Sequence, residues 1–429
     1  MAIDHYSRVQ GQDGLRVFGR AGSTEGYDIR DFLTRTVVAF EWIDLSCEDD
    51  CRGELGLSDF EALRFPIVEF PGGERLFGPR VRESADRLGW VTTPRYKEYD
   101  LSIYGAGPAG LSAAVYAASE GLRTVLIERH AVGGQAGTSS LIENYLGFPQ
   151  GISGAALAER ARQQAVKFGA EQIKMGEGKG AALREDRIHV RMADGSRMIA
   201  KSNICATGVE YRRLGVENED HFLGAGLFYG AGAAEAPYCL NEDVYVVGGG
   251  NSAGQAVMHF ADHARKVTML VRGASLAASL SSYLINRIQE RSNVEVLYDT
   301  EVSALAGDDT LETVSLRSLS TNTTETVPAR RVIVCIGGVP NTDWAKDTDI
   351  MRDRSGYLLT GPDLLDQGRP PACWPLDRQP YFLETSVPGS FAVGDVRHGS
   401  IKRVASAVGE GAMAVSFVHR YLEETHARG

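Results

Sequence analysis

Long apolar runs are missing from this 429-residue chain, and none approaches the ~18–20 residues of a membrane span. The N-terminus, MAIDHYSRVQGQDG, lacks an apolar signal core. Cysteines are few: Cys47, Cys51, Cys205, Cys239, Cys335 and Cys373. They show neither a disulfide framework nor zinc spacing, so we expect a reduced, cytoplasmic protein without a metal site. Three lie within or beside apolar runs, ICATG, APYCL and VIVCIGG, where a thiol is most simply a small buried hydrophobe. Basic charge is in deficit, with 45 Lys and Arg against 56 Asp and Glu. The net charge of −11 argues against nucleic acid or an anionic membrane as main partner. Glycine is abundant, 49 residues, well above the ~7 % average. Glycine is selected where backbone turns tightly or approaches a ligand.

The chain from residue 15 to 97 reads as a small α/β unit. LRVFG, FEWIDL, RFPIVEF and ERLFG have strand character, while YDIRDFLTRT, CRGELGL and RVRESADRLGW have helical spacing. This β-α-β-α-β-β-α order resembles a thioredoxin or glutaredoxin domain, with Pro66 where that family carries a cis-proline before its third strand. The resemblance places a redox pair between the first strand and first helix, but that loop is GRAGSTEGYD and has no thiol. Without a thiolate there is no nucleophile for disulfide exchange. Cys47 and Cys51 follow the second strand instead.

Two further segments carry a strand, a glycine turn, a helix and a second strand. In the first, YDLSIY enters Gly105-Ala106-Gly107-Pro108-Ala109-Gly110, and TVLIER follows the helix. Gly105 permits the tight turn, Gly107 lets a pyrophosphate reach the backbone, and Gly110 lets helix and strand pack closely. The helix N-terminus offers amide donors to phosphate. Glu128 ends the second strand 18 residues after Gly110 and can accept hydrogen bonds from ribose hydroxyls, and Arg129 after it is a further cofactor-binding candidate. In the second segment Gly248-Gly249-Gly250-Asn251-Ser252-Ala253 has the same form. Its following strand, VTMLV, ends at Arg272, which suits a 2′-phosphate and favours NADPH over NADH.

GAGPAG, GGQ at 133–135, IENYLGFP at 142–149, ATG at 206–208, GGGNSA, IGGVPNT at 336–342 and the GDV segment run in one order. Together they resemble the thioredoxin reductase family of flavoproteins from about Tyr99 to Tyr421. The resemblance implies an α/β architecture of two Rossmann-like dinucleotide-binding domains preceded by the thioredoxin-like unit. That unit would be residues 1–97. A discontinuous FAD domain would span 98–212 and 339–429, and an NAD(P)H domain 213–338. It implies a homodimer whose domains rotate to bring nicotinamide or substrate to the flavin. Gly134, Gln135, Asn144, Thr207 and Gly208 would lie at the flavin. Asp395, after Gly394, would meet its ribityl or phosphate end, and Arg403, Val404 and Ala405 would direct helix N-terminal amides at its pyrimidine ring. Gly248, Gly250, Asn251, Ser252 and Arg272 would hold the nicotinamide dinucleotide.

The family's C-x-x-C before the second glycine turn falls here on Ala231-Gly232-Ala233-Ala234. Alanine cannot attack a flavin or a disulfide, so the expected activity is FAD-dependent but not disulfide reduction. Glu235 takes the place of the family acid, and burial would raise its pKa toward acid–base work, or it is a surface carboxylate. His398, three residues after Asp395, is a second acid–base candidate or a solvated loop residue. The family's further arginines after Arg272 are missing. The leading expectation is electron transfer from NAD(P)H through flavin to a small molecule, a quinone-like compound or oxygen. A flavin-dependent oxidase of a small metabolite is the alternative, and an electron-transfer or sensory module docking a protein the third.

Overall fold

The computed structural model describes residues 14–20, 23–58, 60–90, 93–139, 141–176, 178–184, 187–230 and 239–428. In chain order, the first elements are β1 (Leu15–Gly19), α1 (Thr24–Arg35), β2 (Phe40–Asp44), α2 (Glu48–Leu55), β3 (Ile67–Glu69), β4 (Arg75–Phe77) and α3 (Val81–Arg87). Next come β5 (Glu98–Tyr104), α4 (Pro108–Ser119), β6 (Thr124–Glu128), α5 (Gly154–Lys167), β7 (Glu171–Lys174), β8 (Gly178–Arg184), β9 (Arg187–Met192), β10 (Arg197–Cys205) and β11 (Val209–Tyr211). Then follow β12 (Leu227–Tyr229), β13 (Asp243–Val247), α6 (Asn251–Ala261), β14 (Lys266–Leu270), α7 (Ser282–Gln289) and β15 (Val294–Leu297). After these run β16 (Thr300–Ala306), β17 (Thr313–Ser318), β18 (Thr324–Pro328) and β19 (Arg331–Val334). The last are β20 (Gly338–Pro340), β21 (Ser390–Ala392) and α8 (Val404–Arg428).

The chain forms two compact units. One joins Met1–Leu88 to Arg213–Ile336, and the other joins Gly89–Arg212 to Gly337–Gly429. In the first, the N-terminal sheet has the order β2-β1-β3-β4. β1 pairs parallel with β2 and antiparallel with β3, as β3 does with β4. α1 buries Ile29, Phe32 and Leu33, the i, i+3, i+4 stripe of an amphipathic helix. It begins at Thr24, three residues before the expected helical segment at Tyr27, because Ser23 caps it by accepting from the Gly26 amide at 3.1 Å. The Phe65–Pro66 peptide is cis. The same unit holds a parallel sheet, β12-β19-β13-β14-β15, and an antiparallel one, β16-β17-β18.

In the second unit, β7, β6, β5 and β10 run parallel, β21 pairs with β10, and β9 and β8 extend the sheet antiparallel. Their valines, leucines and isoleucines are buried on both faces, as a covered parallel sheet requires. α4 presents Ala109, Ala113, Ala114 and Ala117 to the core, so α8 packs closely against it. Ala414, Val415, Val418 and Tyr421 supply the α8 side of that core. The short strands β11 and β20 pair antiparallel beside the two points where the chain passes between units. The α/β class with two Rossmann-like sheets is as the sequence predicts. Among the described residues no helix is long and apolar enough to cross a membrane, and no group of three or more His, Cys, Asp or Glu is arranged to hold a metal ion.

Candidate dinucleotide sites

The turn between β5 and α4 is built so that only glycine fits at two positions. Gly105 has φ +100°, and a Cβ there would lie 2.3 Å from the Ala206 carbonyl oxygen. A Cβ on Gly110 would lie 1.9 Å from the Gly105 oxygen. Gly107 is the N-cap of α4, and Pro108 follows at the first helical position, where a missing N–H costs nothing. Gly133 and Gly134, both at positive φ, bring a second stretch of bare backbone against this turn. The Gly133 amide donates to the Ala106 oxygen at 2.8 Å, and a Cβ on Gly134 would sit 3.2 Å from the Gly107 Cα.

Glu128 ends β6 beside this turn. Its Oε2 accepts from the Ala106 amide and its Oε1 from the His130 amide, each at 2.8 Å. A carboxylate offers about four lone-pair sites, so acceptor capacity remains for ribose hydroxyls. Arg129 pairs with Glu210 on β11. Gln135 donates through Nε2 to the Val209 oxygen at 2.8 Å, tying its loop to β11. The Thr207 hydroxyl donates to the Asn341 oxygen at 2.9 Å, and Gly208 sits at φ +64°. Asn144 lies on an exposed bend.

The C-terminal segment meets the same turn. Gly394, at φ +72°, packs so that its Cβ would lie 3.0 Å from that of Ala109. Its amide donates to Glu410 Oε2 at 2.7 Å, while Arg397 donates to Glu410 Oε1 at 2.6 Å. Burial pushes the Asp395 carboxyl above its usual range, opposed by Lys402 and a hydrogen bond from Ser400. Arg403, Val404 and Ala405 stand at the start of α8, whose first-turn amides have no partner within the helix. His398 donates or accepts through Nδ1 at 2.7 Å from Asp353 Oδ2. Burial opposes ionisation of Asp353, but His398 and the amides of Tyr357 and Ser355 outweigh it and hold its carboxyl low. With Asp353 ionised, neutral His398 carries its proton on Nδ1 and leaves Nε2 as acceptor.

The second glycine turn lies in the other unit. Gly248, at φ +139°, would place a Cβ 2.3 Å from the Cys335 oxygen. Gly250 is the N-cap of α6. A loop not visible in the motif latches onto this turn: Ser279 donates to the Gly249 oxygen at 2.7 Å, and the Ser281 amide donates to Asn251 Oδ1 at 2.8 Å. Ser252 and Arg272 are exposed. Glu235 lies outside the described residues, as does the Ala231-Gly232-Ala233-Ala234 stretch. The first turn, Glu128 and the Gly394 segment share one unit, and the second turn and Arg272 the other. The residues missed were Asp353, Arg397, Glu410, Ser279 and Ser281. Only Ser279 and Ser281, in a loop crowded with small hydroxyl residues after Arg272, left a trace in composition.

Each of these turns is a dinucleotide-binding cradle, and comparison shows the family to which the chain belongs. Residues 99–411 match the family described as pyridine nucleotide-disulphide oxidoreductase. A thioredoxin reductase of Treponema pallidum (strain Nichols) is 34% identical over 76% of this chain and 98% of its own length. That of Peptoclostridium acidaminophilum is 32% identical over 76% of this chain and 97% of its own. Among solved structures, the thioredoxin reductase of Lactococcus lactis superposes with a TM-score of 0.67 at 27% identity, covering 76% of this chain and 99% of its own. The chain belongs to this family and to its thioredoxin reductase-like, FAD/NAD(P)-binding oxidoreductases. The glycine cradle at Gly105, Gly110 and Gly134, with Glu128 beside it, fits the pyrophosphate and ribose of FAD.

None of the six cysteines is in a disulfide: Cys47 and Cys373 are exposed, and the other four are buried. Burial pushes Cys205 and Cys335 up to about 12. We therefore expect two thiols per folded chain, Cys47 and Cys373, to react rapidly with a thiol reagent. The count should not rise after anaerobic treatment with NADPH. A rise by two would reveal a reducible disulfide.

Proposed function

We propose that the chain is an FAD-dependent oxidoreductase that draws electrons from NAD(P)H, with NADPH preferred, and delivers them to a non-disulfide acceptor: a small molecule, a quinone-like compound or oxygen. The observation that carries this reading is the sequence Ala231-Gly232-Ala233-Ala234 where the family has its cysteine pair. Bound FAD supplies two-electron transfer between a nicotinamide and an acceptor. The chain's residues contribute binding and proton management. The Gly105–Gly110 turn and the α4 N-terminus hold phosphate, Glu128 holds a ribose, and the start of α8 presents amides. His398 would carry a proton at Nε2, a role supported by its contact with Asp353 through Nδ1. Glu235 is the second acid–base candidate.

We also read the N-terminal segment as a thioredoxin-like unit without redox function, supported by its sheet order and its thiol-free loop. On the family resemblance we read the protein as a cytoplasmic homodimer. A second reading, oxidation of a small metabolite at the expense of oxygen, is favoured by one observation: Arg272 is exposed, and the loop after it, ASLAAS, has no further arginine.

The test is anaerobic mixing of the purified yellow protein with NADPH, and separately with NADH. Bleaching within seconds, faster with NADPH, is the expected result, followed by reoxidation with oxygen or a quinone but not with a protein disulfide. No bleaching by either nucleotide overturns the reading in favour of the oxidase. Reoxidation by a protein disulfide overturns the assignment of the acceptor.

A further inference from the structure

The first turn of α1 is bound to the nucleotide-binding part of its own unit. The Thr24 hydroxyl donates to the Leu223 oxygen at 2.7 Å. Three residues on, along the same helix face, the Tyr27 ring lies 5.3 Å from that of Phe228, tilted by 57°. Tyr27 packs against the apolar cluster that holds Phe228, Val244, Val246 and the buried face of α6. The backbone at 224 comes so near that a Cβ on Gly224 would lie 2.7 Å from the Tyr27 Cβ, and Gly224 takes φ +79°. Glycine is required there on both counts.

The other flank of this helix start is filled from within. A Cβ on Gly19, the last residue of β1, would lie 2.2 Å from Trp42 Cη2, and one on Gly26 2.9 Å from it. The indole of Trp42 thus rests on two glycines, and the Arg30 guanidinium stacks 4.5 Å from its ring. The start of α1 thus has the Trp42 indole on one flank and Leu223–Phe228 on the other.

We infer that the N-terminal segment is a brace for β12, and that the first turn of α1 is thereby closed to any outside partner. Thr24 and Tyr27 grip the two ends of the Leu223–Phe228 segment. That segment leads into β12, which pairs with β19 at the edge of the nucleotide-binding sheet. An aromatic contact of this kind stabilises beyond its buried area, and the Thr24 hydrogen bond adds to it. Any reorientation of the nucleotide-binding part therefore carries the N-terminal segment along as one body. The segment's role is mechanical and does not depend on which acceptor the enzyme serves.

Hydrogen exchange on the full-length holoprotein tests this without turnover. In Tyr27→Ala, amides of residues 222–229 should exchange roughly tenfold faster, while Tyr27→Phe, which keeps the ring against Phe228, should exchange far more slowly than Tyr27→Ala. Unchanged exchange in Tyr27→Ala overturns the brace. Hydroxyl-radical footprinting of the unmodified protein tests the closed helix start and needs no variant. Tyr27 and Trp42 should be oxidised several-fold more slowly than Tyr116, which is 47% exposed. Equal rates would overturn closure.

Discussion

Replacing Gly105 with alanine should yield a protein that purifies colourless and takes up no FAD when reconstituted. Two costs act together. A non-glycine residue in the left-handed region costs ~1–2 kcal/mol. The new Cβ would also stand 2.3 Å from the Ala206 oxygen. That oxygen has little freedom to retreat, because the Ala206 amide is bonded to the Tyr104 oxygen at 2.8 Å at the end of the β10–β5 pairing. The Gly105 amide is itself held by the Ile127 oxygen at 2.9 Å. The turn must then open, and the α4 N-terminus loses its aim at the phosphates. Gly121→Ala is the control. Gly121 lies in the same unit at φ +88° with nothing within 4 Å of its Cβ position. It should cost only the conformational ~1–2 kcal/mol and keep its colour. Equilibrium dialysis against FAD and the ratio of flavin to protein absorbance measure both. A yellow Gly105→Ala with wild-type affinity would mean that this turn does not hold the dinucleotide.

The same physics explains what was legible in the sequence. Gly105, Gly110 and Gly248 are forced by backbone geometry that no other residue tolerates, so the requirement is written at the residue itself. The alternation and spacing of apolar residues in β1, α1 and the strands around the turns are likewise local. What closes the flavin unit is not local. Glu410 reaches the Gly394 amide from α8, and nothing in a helix-face glutamate announces that target. His398 stands out in sequence by its place after Asp395, but its partner Asp353 is 45 positions away. Tyr27 reads as an ordinary amphipathic-helix residue, and its contact with Phe228 spans two segments that only the fold brings together. Arg129, expected at the cofactor from its place after Glu128, pairs with Glu210.

A larger effect on stability should follow from Glu384→Ala. This carboxylate is fully buried. Its Oε2 accepts from Arg378 Nη1 at 2.6 Å and the Tyr381 amide at 2.9 Å. Its Oε1 accepts from Arg378 Nη2 at 3.0 Å and the Gly389 amide at 2.9 Å. Four donors thus meet about four lone-pair sites. Arg378 continues outward, donating from Nε to Glu424 on α8 at 2.8 Å and lying 4.0 Å from the Tyr381 ring centre. Tyr381 stacks on Phe417 of α8, and burial with its bond to Glu424 pushes its hydroxyl up to about 12, so it stays a donor. Removing Glu384 leaves two amides and the inward edge of the guanidinium without their acceptor, with Glu424 and the Gln379 oxygen still accepting from Arg378. Breaking a buried pair from one side costs ~3–5 kcal/mol, a fall of roughly 10 °C in the midpoint of a unit this size. Glu424→Ala, at the partly exposed end, should cost only ~1 kcal/mol. The double variant should lose less than the sum, because both carboxylates act through one arginine. Thermal release of flavin fluorescence reads all three. A Glu384→Ala midpoint within a degree of wild type would show that water enters and solvates Arg378, and that the apolar contact of α4 with α8 alone holds this end of the flavin unit.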